Sequence, residues 1–270
     1  MSESAIHSTS GFLPWIEIGD FRIQSYFVII SLVLCLCAVW IPRRADSRLV
    51  PPRRALDLFI IAMLGGLLGS RLLHIFWEEP AYYFEAPWRV FDVMSGGFVW
   101  YGGALGAVLA MFLALRFGFK ESRSRAWPAT LEWFDFFAPV AALGYAGGRV
   151  ACVLTGCCFG RVCEWPVAGE DAHTHALFRF PTQGFAVIWE LAVVWFLLRF
   201  EKPKRGGRSR QRGDVFFAWL VLHGLGRIIM ESLRADPRGP TLGPVTISMG
   251  VSLVLVLCGI FGFLTKPVSK

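Results

Sequence analysis

The sequence has few charges. Only 17% of its 270 residues are Asp, Glu, Lys or Arg, while 55% are hydrophobic. The mean hydropathy is +0.53. A soluble domain carries about 25% charged residues, so this shortage argues against one. Several apolar stretches instead approach the roughly 20 residues that cross a bilayer. Other features are missing too. The first 23 residues lack the basic-then-apolar order of a signal peptide, so insertion through the chain's own spans is expected. No repeat of short period and no soluble domain stands out. The seven cysteines include neither a C-x-x-C redox motif nor the two pairs of a zinc knuckle.

What remains is the pattern of an all-α, polytopic membrane protein. About seven transmembrane helices are expected, over residues 24–41, 56–76, 97–117, 130–155, 182–199, 214–233 and 244–264. They form a single transmembrane domain over 1–270, with a basic cytoplasmic loop near 199–213. The basic residues set the orientation. The first connection holds Arg43, Arg44, Arg48, Arg53 and Arg54, and the third holds Arg116, Lys120, Arg123 and Arg125. The fifth, within EKPKRGGRSRQRGD, is richer still. The second carries Glu78, Glu79, Glu85 and Asp92 against Arg89 alone. The N-terminus is therefore expected outside and the C-terminus in the cytoplasm. Positive-inside loops and anionic lipid heads account for the net charge of +7, and no nucleic-acid partner is expected.

A charge at mid-membrane costs about 2.5–3.5 kcal/mol on insertion scales, so polar residues within spans are site candidates. In the sixth span His223, Arg227, Glu231 and Arg234 fall at about 0°, 40°, 80° and 20° on a helical wheel, one narrow face. Arg227 and Glu231, spaced i,i+4, could simply pair. The fourth span carries Arg149 after Gly144, Gly147 and Gly148. The second brings Arg71 near its end. The third sets Tyr101 between glycine pairs that include Gly102 and Gly103, and the first begins near Tyr26. Under the expected orientation these tyrosines and Arg71, Arg149 and Arg227 all lie toward the outer side. Arginines there, facing protein, suit an anion, and the phosphate of an outer-leaflet phospholipid is the one at hand.

These residues resemble the bacterial prolipoprotein diacylglyceryl transferases over most of the chain. GGxxxYGGxxG (96–106) is similar to that family's Gly-Gly-x-x-x-His/Tyr-Gly-Gly segment. GGR with the run ending in GCCFGR (147–161) resembles its Gly-Arg-x-Gly-Asn-Phe-x-Asn-x-Glu-x-x-Gly signature in length and position. PTQ (181–183) resembles its Pro-Ser-Gln, and GLGRIIMESLRADPRG its late arginine-rich region. The resemblance implies a bacterial inner-membrane enzyme that moves the diacylglyceryl group of phosphatidylglycerol to the lipobox cysteine thiol of a prolipoprotein, the first step of lipoprotein maturation. Glycerol 1-phosphate leaves. The partners implied are phosphatidylglycerol and prolipoprotein signal peptides with a lipobox. By the same resemblance Tyr101, Arg149 and Arg227 are the catalytic candidates. Tyr26, Arg71, Glu231, Arg234, Gly102 and Gly103 are the substrate-binding ones. A free tyrosine, with pKa about 10, is a poor base at neutral pH, so Tyr101 is expected to orient a substrate. His74 and His223 are possible helpers as base. No cofactor is expected and no metal site is assigned.

The chain also departs from the pattern. Cys152 and Thr155 stand at the signature's asparagines, Cys157 at its glutamate, and Phe185 and Ala186 where Tyr-Glu is usual. Glu190 lies one turn later. Cys35, Cys37 and Cys258 read as small apolar residues within spans. For Cys152, Cys157, Cys158 and Cys163, near the oxidising outer face, three readings are open: packing, a disulfide, or a metal or redox site that includes His173 and His175. Two alternative functions go with these features. One is a paralogue of the same fold with another acceptor. The other is a membrane thiol-disulfide or metal protein.

Overall fold

A computed structural model of the chain describes residues 13–19, 21–48, 50–92, 97–119, 123–161, 179–202, 211–235, 241–242 and 245–265. The order is β1 (Trp15–Ile18), β2 (Phe21–Gln24), α1 (Ser25–Ser47), α2 (Pro52–Leu73), α3 (Pro80–Glu85), α4 (Trp100–Leu113), α5 (Arg123–Thr155), α6 (Thr182–Phe200), α7 (Asp214–Leu233), β3 (Thr241–Leu242), β4 (Val245–Thr246) and α8 (Ile247–Leu264). Single π-helical turns, His74–Glu78 and Ala114–Gly118, extend α2 and α4. Seven helices among the described residues are long and apolar enough to cross a membrane. They are the seven expected; the first, second and fourth run longer, while the third and seventh begin three residues later. α1 runs on through Pro42, and α5 begins at Arg123 rather than near residue 130. The protein is a multi-pass membrane protein, and its leucines and phenylalanines are exposed in numbers no water-facing surface would carry.

The helices gather into two compact units. One comprises Ala38–Trp133 and the other Met1–Cys37 with Phe134–Lys270. The first is built on the pair α2 and α4. A Cβ on Gly69 would overlap the Gly102 carbonyl oxygen, and one on Gly106 would overlap that of Gly65. Only glycine allows backbones so close, which is the small-residue packing of membrane helices. Arg54 stacks on Phe119 and Trp133 in the same unit, 4.5 and 5.8 Å from the ring centres.

The second unit packs α6 against α7 and α7 against α8. Its core includes Ala138, Ala142, Val193, Leu197, Val215 and Ala218. A Cβ on Gly226 would strike the Trp189 indole, whose Nε1 donates to the Leu222 carbonyl at 3.1 Å. Asp135 caps the start of α7. Its carboxylate accepts from the Gly213 and Phe216 N–H groups at 2.6 and 2.8 Å, and Gly213 turns the chain there at φ 87°. An acidic group at a helix N-terminus is favourable. The result is a fixed α5–α7 pair, and those helices carry most of the polar residues described next.

Candidate functional site

In the second unit α5, α7 and the start of α8 bring polar residues together. Glu231, 3% exposed, is the hub. It accepts from Arg227 Nη2 at 3.2 Å, from Arg234 Nη1 at 3.3 Å and from Thr246 Oγ1 at 3.1 Å. Arg227 also donates to the Tyr145 hydroxyl at 3.2 Å and to Ser248 Oγ. Helix α7 ends at Leu233, so Arg234 reaches Glu231 from an extended residue beyond the last turn. Thr246 caps α8 by accepting from the Met249 N–H at 3.2 Å. A buried carboxylate needs such donors, and Arg227 on α7, Arg234 just past its end and Thr246 at the N-cap of α8 supply them.

Arg149 differs from Arg227. Its guanidinium carbon lies 4.8 Å from the centre of the Tyr145 ring, a cation–π contact. Its Nε is buried and has no hydrogen-bond partner. Among the described residues no carboxylate pairs with it. Tyr145, Arg234, Cys152 and Cys158 lie within electrostatic range of it. Tyr26, at the start of α1, has Arg149 and the thiols of Cys152, Cys157 and Cys158 around it. A cation left this incomplete in a protected setting can accept an anion.

Next to Arg149 the chain leaves α5 through the loop 156–161. Both sides of that loop are tied. Arg161 N–H donates to the Leu233 carbonyl at 2.9 Å, and the Ala235 N–H to that of Phe159 at 3.2 Å. The Gly160 N–H and Phe180 carbonyl bond at 3.1 Å. Thr182 Oγ1 donates to the Cys158 carbonyl at 2.7 Å, and Gln183 Nε2 to the Cys157 carbonyl at 2.6 Å. The PTQ segment thus clamps the cysteine loop. The sulfurs of Cys152, Cys157 and Cys158 all lie within 4.8 Å of one another. Hydrogen bonds from Cys152 and Cys157, then the Arg149 and Arg234 charges, hold the Cys158 thiol well below the ordinary thiol range. Among the described residues Cys35, Cys37, Cys152, Cys157, Cys158 and Cys258 are free thiols. Cys163, His173 and His175 lie outside the described residues.

The remaining candidates are in the first unit. Arg71, 8% exposed, donates to the backbone carbonyls of Arg89, Val90, Asp92 and Gly97 at 2.9, 3.4, 2.7 and 3.3 Å. These four bonds fasten the connection before α4. Gly102 and Gly103 face α2, where Gly102 meets the Gly69 carbonyl and Leu73. A Cβ on Gly102 would overlap α2, whereas one on Gly103 would meet it at ordinary contact distance. Gly96, the first glycine of the quoted segment, lies outside the described residues. Tyr101 is half-buried, packs edge-on against Trp100, and has no hydrogen-bond partner among the described residues. His74 Nδ1 meets the Tyr83 hydroxyl at 3.0 Å, and its Nε2 lies 3.6 Å from Glu78.

Two elements escaped the sequence reading. Tyr145 bridges Arg149 and Arg227, and its position one helical turn before Arg149 was the available signal. His223 and Glu190, 33 residues apart on α7 and α6, form a fully buried pair at 2.6 Å. The His223 ring also packs edge-on against Tyr145, 4.6 Å between centres. No spacing rule joins residues on separate helices.

The prolipoprotein diacylglyceryl transferase family profile matches residues 14–265. A phosphatidylglycerol–prolipoprotein diacylglyceryl transferase of Clostridium tetani is 27% identical over 92% of this chain and 94% of its own length. Enzymes of the same name from Cupriavidus necator and Methylibium petroleiphilum are each 31% identical. They match over 93% and 90% of the chain and 83% and 89% of their own lengths.

Proposed function

The chain belongs to the prolipoprotein diacylglyceryl transferase family, and from that premise we propose that it transfers the diacylglyceryl group of phosphatidylglycerol to the lipobox cysteine thiol of a prolipoprotein. It does so in the bacterial inner membrane, with the N-terminus outside and the polar cluster toward the outer leaflet. The observation that carries the reading is Arg149, a guanidinium with a buried, unpartnered Nε beside a second arginine and a tyrosine.

The reaction is an alkyl transfer. The thiol sulfur attacks the glyceryl carbon bound to the phosphate oxygen, a C–S bond forms, and the C–O bond breaks. The electron pair leaves on glycerol 1-phosphate, and the thiol proton goes to water or to the departing phosphate. The phosphate gains negative charge along this path, so cations fixed near it favour the transition state over the ground state. Arg149 binds the phosphate. Arg227 is held by Glu231, Ser248 and Tyr145, so it is placed in advance and adds charge without reorganisation. Glu231 and Thr246 position Arg227 and Arg234. Tyr26 borders Arg149 and orients the headgroup. Tyr101 orients a substrate.

Purified protein, phosphatidylglycerol and a lipobox peptide form the test. Conversion of the peptide to a thioether is read by mass spectrometry. Arg149→Ala lowers the rate by about 10²–10³, the size typical of losing one charge-stabilising donor. An unchanged rate would remove Arg149 from the site.

A further inference from the structure

The geometry points to a metal site: Cys152, Cys157 and Cys158 bind a thiophilic d10 cation of the Zn(II) class as three thiolates, and its open fourth position takes the cysteine thiol of the protein acceptor. The second half of this rests on the transferase reading above. Three observations carry it.

The first is convergence. Three sulfurs from a helix end and the loop after it meet within 4.8 Å. At a Zn–S distance of about 2.3 Å, tetrahedral ligands stand roughly 3.8 Å apart, so small χ1 rotations close the set. A disulfide would use two of these sulfurs and leave the third. Packing alone gives no reason for all three to face one point.

The second is the backbone. Adjacent residues on a regular chain point apart. Cys157 and Cys158 face Cys152 together because Cys158 adopts φ 63°, the only non-glycine residue at positive φ among the described residues. That conformation is unfavourable for a residue with a Cβ and persists where its surroundings hold it. Here Thr182 and Gln183 hold the two cysteine carbonyls. Thr155 Oγ1 also lies 3.5 Å from Cys157 Sγ, held there by its 3.0 Å bond to the Ala151 carbonyl.

The third is access and charge. Cys152 is buried, but Cys157 and Cys158 are half-buried, so one side of the cluster remains open. Three protein ligands with one open position is the arrangement of a catalytic zinc site, whereas structural sites are closed. Arg149 and Arg234 stand beside it and offset the negative charge of a three-thiolate complex.

The chemistry fits an acceptor thiol. On coordination the acceptor S–H loses its proton to water, because a metal-bound thiol ionises. A lone pair on that sulfur then attacks the glyceryl carbon while the phosphate departs with the C–O electron pair. The product thioether is neutral and a weaker ligand than the anionic thiolate it replaces, so the next acceptor thiol displaces it as a thiolate.

Cd(II) serves as the spectroscopic probe. Reduced protein in detergent micelles is titrated with Cd(II) under argon and followed by sulfur-to-metal charge-transfer absorbance. One equivalent binds per chain, and peptide mapping after alkylation shows Cys152, Cys157 and Cys158 protected while Cys35 and Cys258 react. The Cys152→Ser/Cys157→Ser/Cys158→Ser variant loses the band, and the protection experiment needs no variant should that one misfold. Adding a lipobox peptide raises the band by roughly a third, four thiolates against three, and a peptide with serine for cysteine does not. Three alkylated thiols in the presence of Cd(II), or a disulfide among them in protein isolated without reductant and unable to bind Cd(II), overturns the site. Cd(II) binding with no response to the peptide overturns the open position. Lipidation by the triple variant at the unmodified rate overturns the metal's part and leaves the transferase reading intact. A peptide that coordinates but is never lipidated supports the site and defeats that reading instead.

Discussion

GGLLGSR, residues 65–71, and GYAGGR, residues 144–149, look alike in the sequence: glycines lead to an arginine inside an apolar span. The structure gives them different surroundings. In the first unit the glycines bring α2 against α4, and Arg71 donates to four backbone carbonyls of one connection. In the second, Arg149 follows Tyr145 and stacks on its ring with Nε unpartnered. What distinguishes Arg71 from Arg149 in the structure is the count of hydrogen-bond partners, not the neighbours in sequence. Backbone carbonyls can satisfy a guanidinium as fully as an anion can.

The strongest way to break this comparison is to ruin the packing of the first unit. Gly106→Leu places a side chain where the Gly65 backbone already lies. Neither backbone can yield without separating the helices, so the cost exceeds the about 1–3 kcal/mol of ordinary overpacking. Little or no monodisperse protein is expected on size-exclusion chromatography in detergent. A normal yield would show that the close approach of α2 and α4 is dispensable.

Exchanging alanine into the two arginines sharpens it directly. Arg71→Ala leaves carbonyls of the 89–97 connection without donors, a loss of about 2–4 kcal/mol. Its thermal midpoint falls, while kcat of the protein that stays folded is largely kept. Arg149→Ala does the reverse. Its midpoint is unchanged or higher, since an incompletely paired cation is removed, and its lipidation rate collapses. Thermal unfolding and peptide lipidation on the same samples separate the two. If both variants lost activity without losing stability, Arg71 would belong to the site after all.

Much of this molecule was legible from hydropathy. The seven spans follow from runs of about 20 apolar residues, because the bilayer demands them. The ends were not. α5 begins in the charged segment at Arg123, which an apolar window cannot see, and π-helical turns at His74 and Ala114 carry α2 and α4 further. Within the site, the face of α7 that joins Arg227 and Glu231 follows from helical periodicity. The Glu190–His223 pair, the tie of Arg71 to carbonyls about 20 residues on, and the convergence of three thiols do not. Each depends on how separate segments meet, and no local pattern encodes that. The cysteines occupy positions where the resemblance to the family breaks, so the family pattern could not supply their role either.

The smallest expected effect concerns the clamp on the cysteine loop. Thr182→Val keeps the shape of a fully buried side chain and removes the hydroxyl that donates to the Cys158 carbonyl. One lost hydrogen bond to a carbonyl costs about 1 kcal/mol, so the fold stands. The Cys157 carbonyl keeps its bond from Gln183, so only one of two tethers is cut. Cys158 then has less to hold it at positive φ, and its sulfur should spend less time facing Cys152. Alkylation of Cys158 in the reduced protein is expected to quicken about fivefold, the rate equivalent of that 1 kcal/mol, with the thermal midpoint lowered by a few degrees at most. Reactivity unchanged within error would mean that Gln183 and the ties to Leu233 and Phe180 fix the loop alone. The convergence of the thiols would then be a property of the chain's path out of α5, and not of the PTQ segment that follows it.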